Sequence, residues 1–131
     1  NARASAAAAG GSAHVVHHAG QTASTQYNRG LIGSGNMVHN LRLINFRAGG
    51  KGYDWAIEAN EIFKNLLAAG DHEKLVERES LGKAVSLAVP TPEHYLPFLY
   101  ALALKKESEP LEIYNDKIDL GSISMTSIKI G

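Results

Sequence analysis

The sequence predicts an α/β fold, a mixed central sheet flanked by helices. Three observations predict it. Apolar residues recur at helical spacing over Asp54–Ala69, and they alternate at strand spacing within Leu111–Tyr114 and Gly121–Gly131. A short apolar approach, Leu31-Ile32, also runs into the glycine-rich turn Gly33-Ser34-Gly35. A strand ending at such a turn delivers the next residues to the rim of a sheet, where α/β proteins keep their sites. Here those residues are largely polar: Asn36, His39, Asn40 and Arg42.

At 131 residues the chain is one domain's worth and long enough for a real core. Its 13 basic and 13 acidic residues balance, with no local basic cluster, so the footprint of a nucleic-acid binder is missing. No apolar run approaches the roughly 20 residues that span a bilayer, so no membrane partner is expected. Cysteine is absent, which excludes disulfides and thiolate metal sites and suits a reducing, cytoplasmic setting. The first residue is Asn1, and Asn1–Ala13 is alanine-, glycine- and serine-rich with no leucine-type apolar run. We therefore expect a chain that begins inside a longer protein or after processing.

Residues 1–29 are expected to be a helix or a disordered segment. On a helix His14, His17 and His18 share a face at a spacing that can hold a metal, or simply form a polar face. After Arg42, Leu43–Phe46 reads as short and irregular, and Ala48–Gly52 as a loop. Lys51 lacks the Walker spacing, so phosphate binding is rejected.

Asp54 can cap a helix that runs to Ala69, with Trp55, Ala59, Ile62, Phe63, Leu66 and Leu67 on its inner face and Gly70 as the stop. Asp71 can cap a shorter helix to about Ser80, with Leu75 and Val76 inward. Beyond Ala84–Val89, Thr91 suits an N-cap and Pro92 a first helical position. Pro97 cannot donate to the Glu93 carbonyl, so a kink or a restarted helix is expected there. In the tail, Leu111–Tyr114 is a strand and Asn115-Asp116 a turn. Ile123 and Met125 are out of phase with Ile128 and Ile130, which calls for a bulge near Thr126-Ser127.

Three stretches together resemble the LigB-type (class III) extradiol dioxygenases, in their DOPA 4,5-dioxygenase-like branch. These are Ser34-Gly35-Asn36-Met37-Val38-His39-Asn40-Leu41-Arg42, Thr91-Pro92-Glu93-His94-Tyr95-Leu96-Pro97 and Gly121-Ser122-Ile123-Ser124-Met125, with Trp55-Ala56 between them. The resemblance covers residues 30–131 and implies the C-terminal part of a larger LigB-like domain. It implies a non-haem Fe(II) or Zn(II) site acting on a catechol and dioxygen. His39 then matches a metal-site histidine, as ligand or acid–base catalyst, and His94 and Glu93 match the C-terminal contribution to the metal shell. Asn36, Asn40 and Arg42 can orient His39 or a substrate carboxylate, or can serve structural hydrogen bonds.

The chain departs from the family upstream. The family takes two further metal histidines from H-G-S-P and S-A-H-W settings, and nothing here matches the first. Ser12-Ala13-His14-Val15 resembles the second but sits too near Gly33. The leading expectation is thus a metal-dependent ring-cleavage dioxygenase of catechols, seen as a partial chain that needs its N-terminal half or a homo-oligomer. The alternative is a non-catalytic fragment that acts as an oligomerising or partner-binding module. Metal storage by His14, His17 and His18 is a third reading.

Overall fold

The computed structural model describes residues 31–33 and 36–131. The expectations for residues 1–29, including the His14, His17 and His18 cluster, lie outside the described residues.

The α/β class is what the structure shows, with helices packed beside small antiparallel sheets. The larger sheet has the order β1-β5-β2, formed by Leu31–Gly33, Ser127–Ile130 and Leu111–Tyr114. Leu31 and Leu111 both face Ile130 across it, and Tyr114 pairs with Ser127. Two shorter strands, β3 (Ile118–Asp119) and β4 (Ile123–Ser124), form a hairpin beside it. The expected bulge near Thr126 is absent. The chain instead leaves one sheet after Ser124 and enters the other at Ser127, and this switch reconciles the two phases of alternation. Ile123, Ile128 and Ile130 are all buried as a result.

Helix α1 spans Asp54–Ala69, with the predicted ends. Gly70 closes it in the left-handed conformation (φ 69°), the use for which glycine is suited. Asp54 is not its cap. Tyr53 holds that position without a side-chain bond, and Asp54 lies in the first turn, where its charge favours the helix dipole. Ala56, Ala59, Phe63 and Leu67 are buried, and Trp55, Ile62 and Leu66 pack at the edge of the same core. Asn60 is buried among them, a polar residue that spacing alone does not flag.

Helix α2 (His72–Val76) is capped by Asp71, whose carboxylate accepts from the Lys74 amide. It is shorter than expected and passes into a 3-10 turn at Arg78–Leu81. With the helical period broken, Leu75 enters the core while Val76 stays exposed, contrary to expectation. Helix α3 covers Lys83–Ala88 and helix α4 covers Leu96–Leu104. Thr91 and Pro92 do not open α4. The Pro92 carbonyl accepts from the amides of Tyr95 and Leu96 in a separate turn, and α4 restarts with Pro97 in its first turn, where a missing N–H costs nothing.

One core joins these elements: Met37 and Val38, Phe63 and Leu67 of α1, Leu75, Val85, Tyr95, Phe98 and Leu102, and Ile128 and Ile130 of β5. No helix among the described residues is long and apolar enough to cross a membrane.

Candidate active site

The segment Asn36–Asn40 runs beside Ser122–Ser124. Asn36 N donates to Ser124 O, Ser124 N to Val38 O, and Asn40 N to Ser122 O. The buried Ser122 hydroxyl adds a bond to Asn40 O at 2.8 Å. Met37 and Val38 both go into the core, while His39, bridged to Ile123, is half-buried.

On its other side the segment meets the C-terminal end of α3, whose last carbonyls have no partner within the helix. His39 N donates to Ala88 O and Asn40 Nδ2 to Leu87 O, both at 2.8 Å. The chain leaves α3 through Val89 and Pro90 and turns at Pro92, which brings His94 back over His39. Tyr95 fixes the far end of this run. It is 1% exposed, packs on Phe63 and Phe98, and donates its hydroxyl to Leu75 O.

His39 and His94 therefore stack, with ring centroids 3.7 Å apart and planes inclined by 25°. The two rings border a cleft of about 420 Å³ that is also lined by Asn40, Leu41, Arg42, Pro90, Thr91 and Glu93. Five of the six residues singled out from the sequence line it, and Asn36 does not. Asn36 adopts a left-handed conformation (φ 58°), and its buried side-chain oxygen has no hydrogen-bond partner. The Asn40 carboxamide is engaged at both ends, donating to Leu87 O and accepting from Arg42 N at 3.1 Å. Its structural use is thus the one observed.

Burial, and then the neighbouring His94 ring, hold the His39 imidazole below its ordinary pKa, opposed by a backbone hydrogen bond and by Glu93. Neutral imidazole is the form that binds a metal or accepts a proton. A hydrogen bond from Thr91 leads the causes that lower the Glu93 carboxyl, joined by a backbone hydrogen bond and by the charges of His94 and His39. Thr91 in this role and Ser122 under Asn40 were not singled out as site residues. Their only sequence signal was membership of the two polar stretches.

Imidazole and carboxylate suit Fe(II) or Zn(II) as donors. However, no group of three His, Cys, Asp or Glu side chains that could hold a metal is found among the described residues. Near-parallel stacked rings also aim their in-plane lone pairs along separate planes. Among the described residues, therefore, His39, His94 and Glu93 do not make up a complete metal shell.

These features define an α/β protein with a histidine-lined cleft, and similarity to known proteins narrows the class. The chain is 42% identical over 103 residues to the 4,5-DOPA dioxygenase extradiol of Escherichia coli K12, a match covering 77% of this chain and 38% of that protein. The crystal structure of an uncharacterised protein from E. coli K12 superposes with a TM-score of 0.65 at 39% identity, covering 74% of this chain and 41% of the other. No family model matches the chain. The chain thus spans about two-fifths of the length of the relatives it matches.

Proposed function

We propose that this chain is the C-terminal part of a metal-dependent extradiol dioxygenase that cleaves catechol rings of the DOPA type. The observation that carries this reading is the convergence of His39 and His94, distant in sequence, on one cleft. The DOPA dioxygenase name of the E. coli relative supports the substrate class.

In this reading His94 would hold the metal and Glu93 would either ligate it or brace the shell. Fe(II) there would supply the electron chemistry that dioxygen needs, and Zn(II), the alternative occupant, only a Lewis acid. The chain's own residues do the rest. His39, kept neutral by burial and by its stacked partner, accepts a catechol hydroxyl proton and returns it after ring opening. The exposed Arg42 guanidinium on the cleft wall pairs with the substrate carboxylate. A cleft of about 420 Å³ is ample for one aromatic ring with a short side chain. The cysteine-free composition suits an enzyme of the cytoplasm.

The test uses the intact parent protein loaded with Fe(II) and a panel of catechols that includes DOPA. Yellow semialdehyde products are expected, and His39→Asn should lower turnover by roughly 10²–10⁴-fold. A complete, metal-loaded parent that cleaves no catechol refutes the assignment.

A second reading rests on the incomplete donor set among the described residues and on the exposed Leu41, which lines the cleft, followed in sequence by the exposed Leu43 and Phe46. In that reading the chain is a non-catalytic module that binds a second copy or another protein. A stable metal-free dimer in size-exclusion and metal analysis favours it, and one bound metal per chain disfavours it.

A further inference from the structure

We propose that Asn40 is the positioning residue of the histidine pair, acting through the backbone carbonyl of Leu87. The purpose of the pair is taken from the function proposed above, but the coupling itself stands on hydrogen bonds alone.

His39 and His94 belong to segments that share no regular sheet or helix. Between Ala88 and Leu96 the chain forms one turn, at Pro92, so His94 takes its place from anchors at the two ends of that run. Tyr95 is the far anchor. The near anchor is the meeting of α3 with His39-Asn40, made by two bonds. The first, His39 N to Ala88 O, is a backbone bond that most residues could make. The second needs a specific side chain. It must be short enough to sit in a nearly sealed space (Asn40 is 6% exposed) and must carry a donor for Leu87 O.

It must also present an acceptor to Arg42 N, which opens the 3-10 turn Leu41–Leu43. Asparagine meets all three demands. Aspartate lacks the donor, serine lacks the reach, and glutamine carries an extra methylene into a filled site. One carboxamide, on the residue next to His39, thereby ties the start of the turn that carries Arg42 to the helix end that leads to His94. The Ser122 hydroxyl on Asn40 O holds the same residue from the opposite side.

The test compares the full chain with Asn40→Asp and Asn40→Ala by NMR, with labelled histidine rings. Asn40→Asp keeps the acceptor for Arg42 N and loses the donor to Leu87 O, and Asn40→Ala loses both. Stacked rings shield one another, so wild-type His39 and His94 ring protons should be shifted upfield and show ring-to-ring NOEs. Both variants should lose these signals while Trp55 emission and the resonances of Asn60 and Thr126 stay native.

Retention of the stack in both variants overturns the proposal. So does retention in Asn40→Asp with loss in Asn40→Ala, because the side chain would then act only as the cap of the 3-10 turn. Should either variant unfold, the wild-type Asn40 amide protons decide. Protection from exchange supports the bond to Leu87 O, and exchange at the rate of a free carboxamide refutes it. No readout here requires turnover, so failure of ring cleavage and failure of this coupling remain separate results.

Discussion

Tyr95 Oη donates to Leu75 O at 2.6 Å, and that bond locks the residue next to His94 against the end of α2. Burial raises the Tyr95 hydroxyl pKa, so the group remains a donor throughout the working range. Arg78 lies over the ring face, 5.8 Å from its centroid. Tyr95→Phe keeps the ring and leaves the Leu75 carbonyl without this partner. Urea denaturation should show a loss of about 1–3 kcal/mol with an unchanged m-value.

Asn60 joins α1 to β4, the strand bonded to the segment that carries His39. Its Oδ1 accepts from the hydroxyls of Ser124 and Thr126, and its Nδ2 donates to Asp116. Asn60→Ala strands buried polar groups on β4 and on the link to β5, at a cost of roughly 1–3 kcal/mol for each group left unpaired. Asn60→Asp should be worse at neutral pH, since it sets a second carboxylate against Asp116 in a buried place. Thermal melts of the two variants side by side check the order.

Acid should act on the same network. Burial pushes the Asp116 carboxyl up, but Lys64, Asn60 and Thr126 outweigh it and hold the carboxyl below its ordinary value of 3.8. A folded-state pKa below the unfolded one gives stability that is present above the unfolded pKa and is lost as pH falls through the folded one. The urea midpoint of the wild type should therefore fall between pH 5 and about pH 2 by more than that of Asp116→Asn. Parallel curves for the two proteins would contradict this. The effect is modest because the Asp116 side chain is 39% exposed and screened by solvent.

Gly121 has φ 80°, and a Cβ built on it would sit 2.8 Å from the Tyr53 ring. Tyr53 in turn stacks on Trp55 at 5.6 Å. Gly121→Ala must displace that stack as well as strain its own backbone, which we expect to cost about 1–3 kcal/mol. Trp55 is the sole tryptophan, so its emission should shift in the variant and report the displacement directly.

Helix α1 was legible residue for residue, because sixteen positions of 3.6-residue period and a glycine stop leave little freedom. Strand β2 was equally plain. The cleft residues were legible as polar stretches, but their meeting was not a matter of spacing. It depends on two hydrogen bonds from His39 and Asn40 to the end of a six-residue helix. The Met125–Thr126 switch was misread as a bulge because a change of phase in one strand and a change of sheet leave the same pattern in sequence. Val76 was misread because α2 stops early, and the Glu77 backbone that stops it carries no turn-forming signature.

The strand order β1-β5-β2 has a consequence for how the molecule assembles. Both flanking strands pair with Ser127–Ile130, which is synthesised after either of them. Leu31 waits for Ile130 across almost the whole described chain, so closing this sheet means closing a very long loop. On the ribosome the helices can gather first, while the two outer strands stay without a partner until the last strand emerges and draws them together.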